Sequence, residues 1–261
     1  MESMADRLLR TAAMSRTFLN EEARDKVFDF IMARQNSDGG FRGRGAESDL
    51  YYTLFSVAVL KILDRVVPVF KVWKYVRSFG AGRDLDLVHL TCLIRLRLAF
   101  PLPPWTRKRL FRVLEQRREE SVYGRFLTLM AFDKWTLDPN FTVAADAPTP
   151  NLAAAALLNP TDGLAAALLG RFVKSGGFSP SAKVGAADLL STATAVFALV
   201  YLKTNLDTVQ RETFKYVESL WRESGGFAGH LADEFEDAEY TFYALLAMGC
   251  LIQSMAPDYG N

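Results

Sequence analysis

At 261 residues, 50% apolar and 23% charged, with a formal net charge of +1, the chain has the composition of an ordinary globular protein. The near-neutral balance gives no electrostatic reason to expect nucleic acid or a charged membrane surface as a partner. The longest apolar stretch, residues 193–202, is far short of the ~20 residues that span a bilayer. The opening MESMADRLLRTAAMSRTF has neither a continuous apolar run nor a small-residue cleavage site, so it does not read as a secretory signal, and the expected compartment is the cytoplasm. Cys92 and Cys250 each sit in an apolar helical run, without metal-type spacing, and read as buried free thiols.

In chain order, nearly every segment has helical periodicity, and no convincing strand is found. EEARDKVFDFIMARQ places Val27, Phe28, Ile31 and Met32 on one face, with charges opposite. Amphipathic helices are expected near 20–35, 67–79, 104–118, 162–174 and 207–223. Each is followed by a more apolar one, near 47–63, 85–99, 120–135, 186–202 and 236–252. The basic run 107–118 has no interleaved aromatic residues and reads as a solvated outer helix, not a nucleic-acid patch. The alanine-rich, proline-punctuated stretch 144–169 reads as a loop and two short helices.

Aligned on their starts, the apolar helices read DLYYTLFSVAVL, LVHLTCLIRLRL, SVYGRFLTLMAF, DLLSTATAVFAL and DAEYTFYALLAM. These starts, at 49, 87, 121, 188 and 237, lie 38, 34, 67 and 49 residues apart. Two-helix units repeating at this spacing cannot bury their faces alone and must stack. If the stack curves until its ends meet, the apolar helices form an inner ring and the amphipathic ones an outer ring. The expected fold is therefore all-α, an α/α toroid of about five to six hairpins around a central cavity, spanning 1–261 as one domain. The double-length gap leaves room for a degenerate hairpin.

Three corners repeat one phrase: NSDGGFRGRGAESDLYYT, SGGFSPSAKVGAADLLST and SGGFAGHLADEFEDAEYT. Asp49, Asp188 and Asp237 stand where an inner helix begins and can cap its free N–H groups. The glycine pairs suit the end of an outer helix, where positive φ is easiest for glycine. Phe41, Phe178 and Phe227 can pack the corner.

The phrase resembles the repeat of protein prenyltransferase β subunits and of squalene and other class II terpene cyclases. The resemblance implies the toroid and an isoprenoid-type ligand. Zinc prenyltransferases have Asp-x-Cys at one inner-helix start, where this chain has Asp188-Leu189-Leu190, and a His in a second motif, where DAEYT has Tyr240. Two of three ligands are missing, so zinc is not expected. Mg2+ would come only with a diphosphate substrate. Class II cyclases use Asp-x-Asp-Asp-Thr-Ala with a proton-donating middle aspartate. DLLSTA has Leu190 there, whereas DAEYTF keeps an acid, Glu239.

If the register holds, Tyr51, His89, Tyr123, Leu190 and Glu239 share one height near the cavity mouth, with Tyr52, Arg125, Ser191 and Tyr240 beside them. An acid, an imidazole and phenols around an apolar pocket suit a ligand site, and burial would make Glu239 a proton donor. Arg44 resembles the β-subunit loop arginine that contacts diphosphate. Arg125 replaces the usual Thr or Ser, and its buried charge calls for an anionic partner. The expected catalytic residues are therefore Glu239, Asp237 and Asp188. The expected substrate-binding residues are Arg44, Arg125, Tyr51, Tyr52, His89, Tyr123 and Tyr240. The leading function is binding of an isoprenoid or other elongated apolar molecule, with or without a diphosphate head, and acid chemistry upon it. A non-catalytic lipid- or protein-binding toroid, and a β-like subunit with a protein partner, stay open, as does a homo-oligomer.

Overall fold

The computed structural model describes residues 2–100, 104–117, 119–132 and 141–256. The expected helix ends at 118 and 133–135, and the prolines between 101 and 103 and at 139, lie outside the described residues. The elements run α1 (Met4–Ala13), α2 (Glu21–Met32), β1 (Phe41–Arg42), β2 (Ser48–Asp49), α3 (Leu50–Ile62), α4 (Val69–Ser78), α5 (Leu87–Leu98) and α6 (Pro104–Glu115). They continue with α7 (Val122–Phe132), α8 (Thr149–Leu158), α9 (Asp162–Leu169), α10 (Leu189–Tyr201), α11 (Gln210–Ser219), β3 (Phe227–Ala228), β4 (Glu236–Asp237) and α12 (Ala238–Ser254).

The apolar helices α3, α5, α7, α8, α10 and α12 pack each on the next, and α12 returns to α3, so the ring closes. The sixth member is α8, whose TPNLAAAALL was not aligned with the other inner helices in the sequence. Its alanines are nearly all buried because α7 and α10 approach it closely from both sides. The outer helices α2, α4, α6, α9 and α11 each lie against an inner neighbour. The N-terminal α1 crosses α12, α3 and α7. It sits against Gly249 near the end of α12, where a Cβ would lie 2.0 Å from the Thr11 carbonyl oxygen. It therefore floors the ring at the C-terminal ends of the inner helices.

The repeated phrase is a hydrogen-bonded clip. The hydroxyls of Thr53, Thr192 and Thr241 donate to the carbonyls of Asp49, Asp188 and Asp237, at 2.6, 2.6 and 2.7 Å. The same hydroxyls accept the backbone N–H of Phe41, Phe178 and Phe227, whose rings are among the most completely buried in the molecule. The first glycine of each pair has positive φ and backs onto an outer helix. A Cβ would lie 2.1 Å from the Lys71 carbonyl oxygen at Gly39, 2.4 Å from that of Glu212 at Gly176, and 2.3 Å from that of Lys26 at Gly225. The last contact joins the final corner to α2 and closes the outer ring.

The expectation of no strand is corrected at two corners. β1 pairs antiparallel with β2, and β3 with β4. At the remaining corner only isolated bridges form, Phe178 with Phe172 and Asp188. These loops double back over buried phenylalanines, and their backbone groups need partners there. Two-residue ladders carry no alternating pattern for a sequence reading to find.

Candidate functional site

All the inner helices whose starts touch one another begin at the same end of the ring. Asp49 at the start of α3 meets His89 in the first turn of α5, Tyr51 meets Glu239 across α3 and α12, and the Leu189 N–H donates to the Gly229 carbonyl. Counted from its N-cap (Asp49, Asp86, Ser121, Pro148, Asp188, Asp237), each inner helix turns its second residue into a central cavity of about 170 Å3. These residues are Tyr51, Val88, Tyr123, Pro150, Leu190 and Glu239. Aromatic and aliphatic residues such as Phe55, Phe126 and Phe242 form the next layer, with Tyr243. The ninth residues, Ala58, Arg95, Met130, Leu157, Phe197 and Leu246, form the deepest layer above Leu8 of α1. At 1.5 Å per residue the mouth and floor layers lie ~10 Å apart.

One residue of the expected ring changes place. Asp86, not Leu87, starts α5: its carboxylate accepts the His89 N–H at 2.8 Å. The register therefore shifts by one, and Val88 faces the cavity instead of His89. The His89 ring lies between two carboxylates, Nδ1 at 2.8 Å from Asp86 and Nε2 at 3.1 Å from Asp49. Burial alone would lower its pKa, but the hydrogen bonds to both carboxylates outweigh burial and raise it. His89 thus links the caps of α3 and α5 at the rim.

Glu239 is the acid of the mouth layer. The Tyr51 hydroxyl donates to its Oε1 at 2.5 Å. Burial, reinforced by the nearby Asp237 charge, pushes its pKa up to about 7, against the Tyr51 hydrogen bond, which lowers it. Near neutrality the group therefore holds a transferable proton. Burial and the Glu239 charge together hold the Tyr51 phenol far above its ordinary range, so Tyr51 stays a donor.

Asp237 is 1% exposed and caps α12 through the Tyr240 N–H at 2.9 Å. Burial raises its pKa despite the Tyr240 N–H and the guanidinium of Arg44. Arg44 bridges Asp233 at 2.8 Å and Asp237 at 3.2 Å, pinning the first corner loop to the last. Asp188 is occupied by the Ser191 N–H at 2.7 Å and hydroxyl at 2.8 Å. The rings of Tyr52 and Tyr240 cover Gly43 and Gly229 in the corner loops. Tyr123, 44% exposed, lies at the cavity mouth. Arg125 donates to the Glu120 carbonyl at 2.9 Å and meets the Glu120 carboxylate at 2.7 Å, in the turn before its own helix. Neither Arg44 nor Arg125 lines the cavity.

The cation that does line it is Arg95, which the sequence reading passed over. Its signal was present: in LVHLTCLIRLRL an arginine falls nine residues after the cap, on the same face as Val88 and Cys92. Only the corrected register shows which face that is.

The prenyltransferase alpha-alpha toroid domain family matches residues 7–83 and 152–258. The chain belongs to this family. No curated protein matches it as a relative. The family match and the closed ring together establish an α/α toroid of the prenyltransferase and terpene-cyclase kind. No helix among the described residues is long and apolar enough to cross a membrane. The zinc suggested by the resemblance to prenyltransferases does not fit these side chains. At the corresponding positions stand a capping Asp188, an apolar Leu190 facing the cavity, and a phenol, Tyr240. Among the described residues no cluster of three or more His, Cys, Asp or Glu side chains could hold a metal ion.

Proposed function

We propose that the toroid holds an isoprenoid or other elongated apolar molecule in its central cavity and that Glu239 transfers a proton to it. The observation that carries this reading is a half-buried carboxyl group in the mouth layer, lining the cavity and held by the Tyr51 hydroxyl at 2.5 Å, where burial pushes its pKa up to about 7. At about 170 Å3 the cavity lies below the ~300–1,000 Å3 of drug-sized ligand pockets, so its occupant is a slender or short chain. In the transfer, the O–H pair of Glu239 becomes a carboxylate lone pair. A ligand double bond supplies the two electrons of the new C–H bond and leaves a carbocation. Tyr51 stabilises the carboxylate by its hydrogen bond. The faces of Phe55, Phe242 and Tyr243, packed together at 5.1–5.7 Å, suit a cation. Asp237 acts by holding the start of α12 and by keeping Glu239 protonated. A diphosphate head, with its Mg2+, would have to take Arg44 from Asp233 at the rim.

The test is Glu239→Gln, assayed for turnover of geranyl and farnesyl alcohols and diphosphates. Loss of a general acid costs ~100- to 10,000-fold in rate, with ligand binding expected to persist. Turnover within a few-fold of the parent would reject Glu239 as the acid. A second reading, a non-catalytic binding toroid, draws on the commitment of Asp188 and Asp237 to helix caps and of Arg44 to an ion pair. Binding of the alcohols without any turnover would favour it.

A further inference from the structure

Arg95 is anomalous in the deepest layer. The other five inner helices supply Ala58, Met130, Leu157, Phe197 and Leu246 at the same height, all apolar. Its side chain is half-buried and lines both the cavity and a second hollow of about 250 Å3 below, which shares Leu54, Ala58 and Met130 as walls. The cationic side chains described above at the rim are all paired: Arg44 with Asp233 and Asp237, Arg125 with Glu120, His89 with Asp86 and Asp49. Among the described residues the Arg95 guanidinium has no hydrogen-bond acceptor and no carboxylate partner. Burial works against its charge, and the compensation there is the C-terminal dipole of α5.

A guanidinium does not shed its charge to escape burial. A half-buried guanidinium with no partner, set among apolar walls, therefore favours an anion beside it. The lower hollow adds Lys61 and Arg107 against a single acid, Asp6, so the floor of the site is net positive.

We propose that Arg95 is the inner anchor of the cavity, and that its ligand is an apolar chain ending in a carboxylate or phosphate seated head-down against the guanidinium. This inference rests on the reading that the cavity holds an elongated apolar molecule, and it reverses the orientation in which a head group would sit at Arg44 and Arg125. The chain then rises past the aromatic layer, and its tail, not its head, reaches Glu239 ~10 Å above.

Three probes share one skeleton: geraniol, geranic acid and geranyl monophosphate. Their binding to the full chain is measured by calorimetry. At least one of the two anions should bind tenfold or more tightly than geraniol, and which one does identifies the head group. Arg95→Met should bring all three within threefold of one another. Without ligand it should melt no lower than the parent, because an unpaired charge held among apolar walls has been removed. Arg95→Gln serves as a second neutral variant should the methionine not fold. If the parent binds geraniol as tightly as the anions, or if the preference survives both substitutions, the anchor is refuted while the apolar cavity stands. If none of the three binds, the cavity reading itself falls and takes the anchor with it.

Discussion

The three corners that carry the repeated phrase and the two that do not, at α4–α5 and α6–α7, solve the same problem in different ways. In the first set, a glycine with positive φ backs onto an outer helix, a phenylalanine fills the corner, and a threonine hydroxyl ties the phenylalanine N–H to the cap carbonyl. At α4–α5 the turn is Gly80-Ala81-Gly82. Gly80 has φ +52° with nothing near its missing Cβ, and the cap is Asp86, tied to His89 in its own helix and without a threonine clip. At α6–α7 the cap is Ser121, and Arg125 reaches back to the Glu120 carbonyl where the three repeated corners place a threonine. This region has its own small apolar cluster, including Leu90, Ile94, Leu110 and Leu114. It also contains the stretch, 84–151, that the family match skips. Yet α5 and α7 put their second and ninth residues into the same cavity layers as α3 and α12. The inner ring sets the layers, and the corner chemistry sets how firmly each helix start is fixed.

The comparison breaks first at Gly225. An alanine there would hold strained φ and drive its Cβ into the Lys26 carbonyl, so Gly225→Ala should cost about 3 kcal/mol or more in chemical denaturation. A loss under 1 kcal/mol would mean that the closing contact is dispensable.

Next in size is a pH effect, which contrasts Glu239 with Val88 in the same layer. Burial raises the Glu239 pKa from 4.5 to about 7 in the folded chain, so its carboxylate is penalised only there. This contribution to stability is complete below about pH 4.5, declines as pH rises, and is exhausted above about 7. The loss amounts to at most about 3 kcal/mol. Denaturation curves of Glu239→Gln should lack this slope and show the variant more stable than the parent at pH 8.

Thr241→Val removes the clip hydroxyl at constant shape and leaves the buried Phe227 N–H unsatisfied. The expected cost is ~1–3 kcal/mol, with protection of the Phe227 amide falling in hydrogen exchange. An unchanged amide would show that the clip is redundant. The smallest effect belongs to the plain corner. Gly80→Ala meets no neighbour and should cost about 1 kcal/mol, from its left-handed backbone alone. A cost equal to that at Gly225 would erase the distinction between the two kinds of corner.

What the sequence determined by itself is what short-range chemistry encodes. Helical periodicity, the capping aspartates and the corner phenylalanines lie within one hairpin of their partners, and the leucine and tyrosine in place of zinc ligands are read from residue identity alone. The tertiary structure alone decided what depends on partners remote in the chain. Tyr51 meets Glu239 at a separation of 188 residues, and Arg44 meets Asp237 at 193. The ring passes through α8, whose alanines carry little periodic signal, because both its neighbours crowd it. Whether His89 or Val88 faces the cavity turned on a one-residue difference in where α5 is capped. At 3.6 residues per turn, that one residue rotates a side chain by ~100°. The same rotation fixed the place of Arg95: a charge in an apolar helix is visible in the sequence, but whether a carboxylate faces it is decided only when the ring closes.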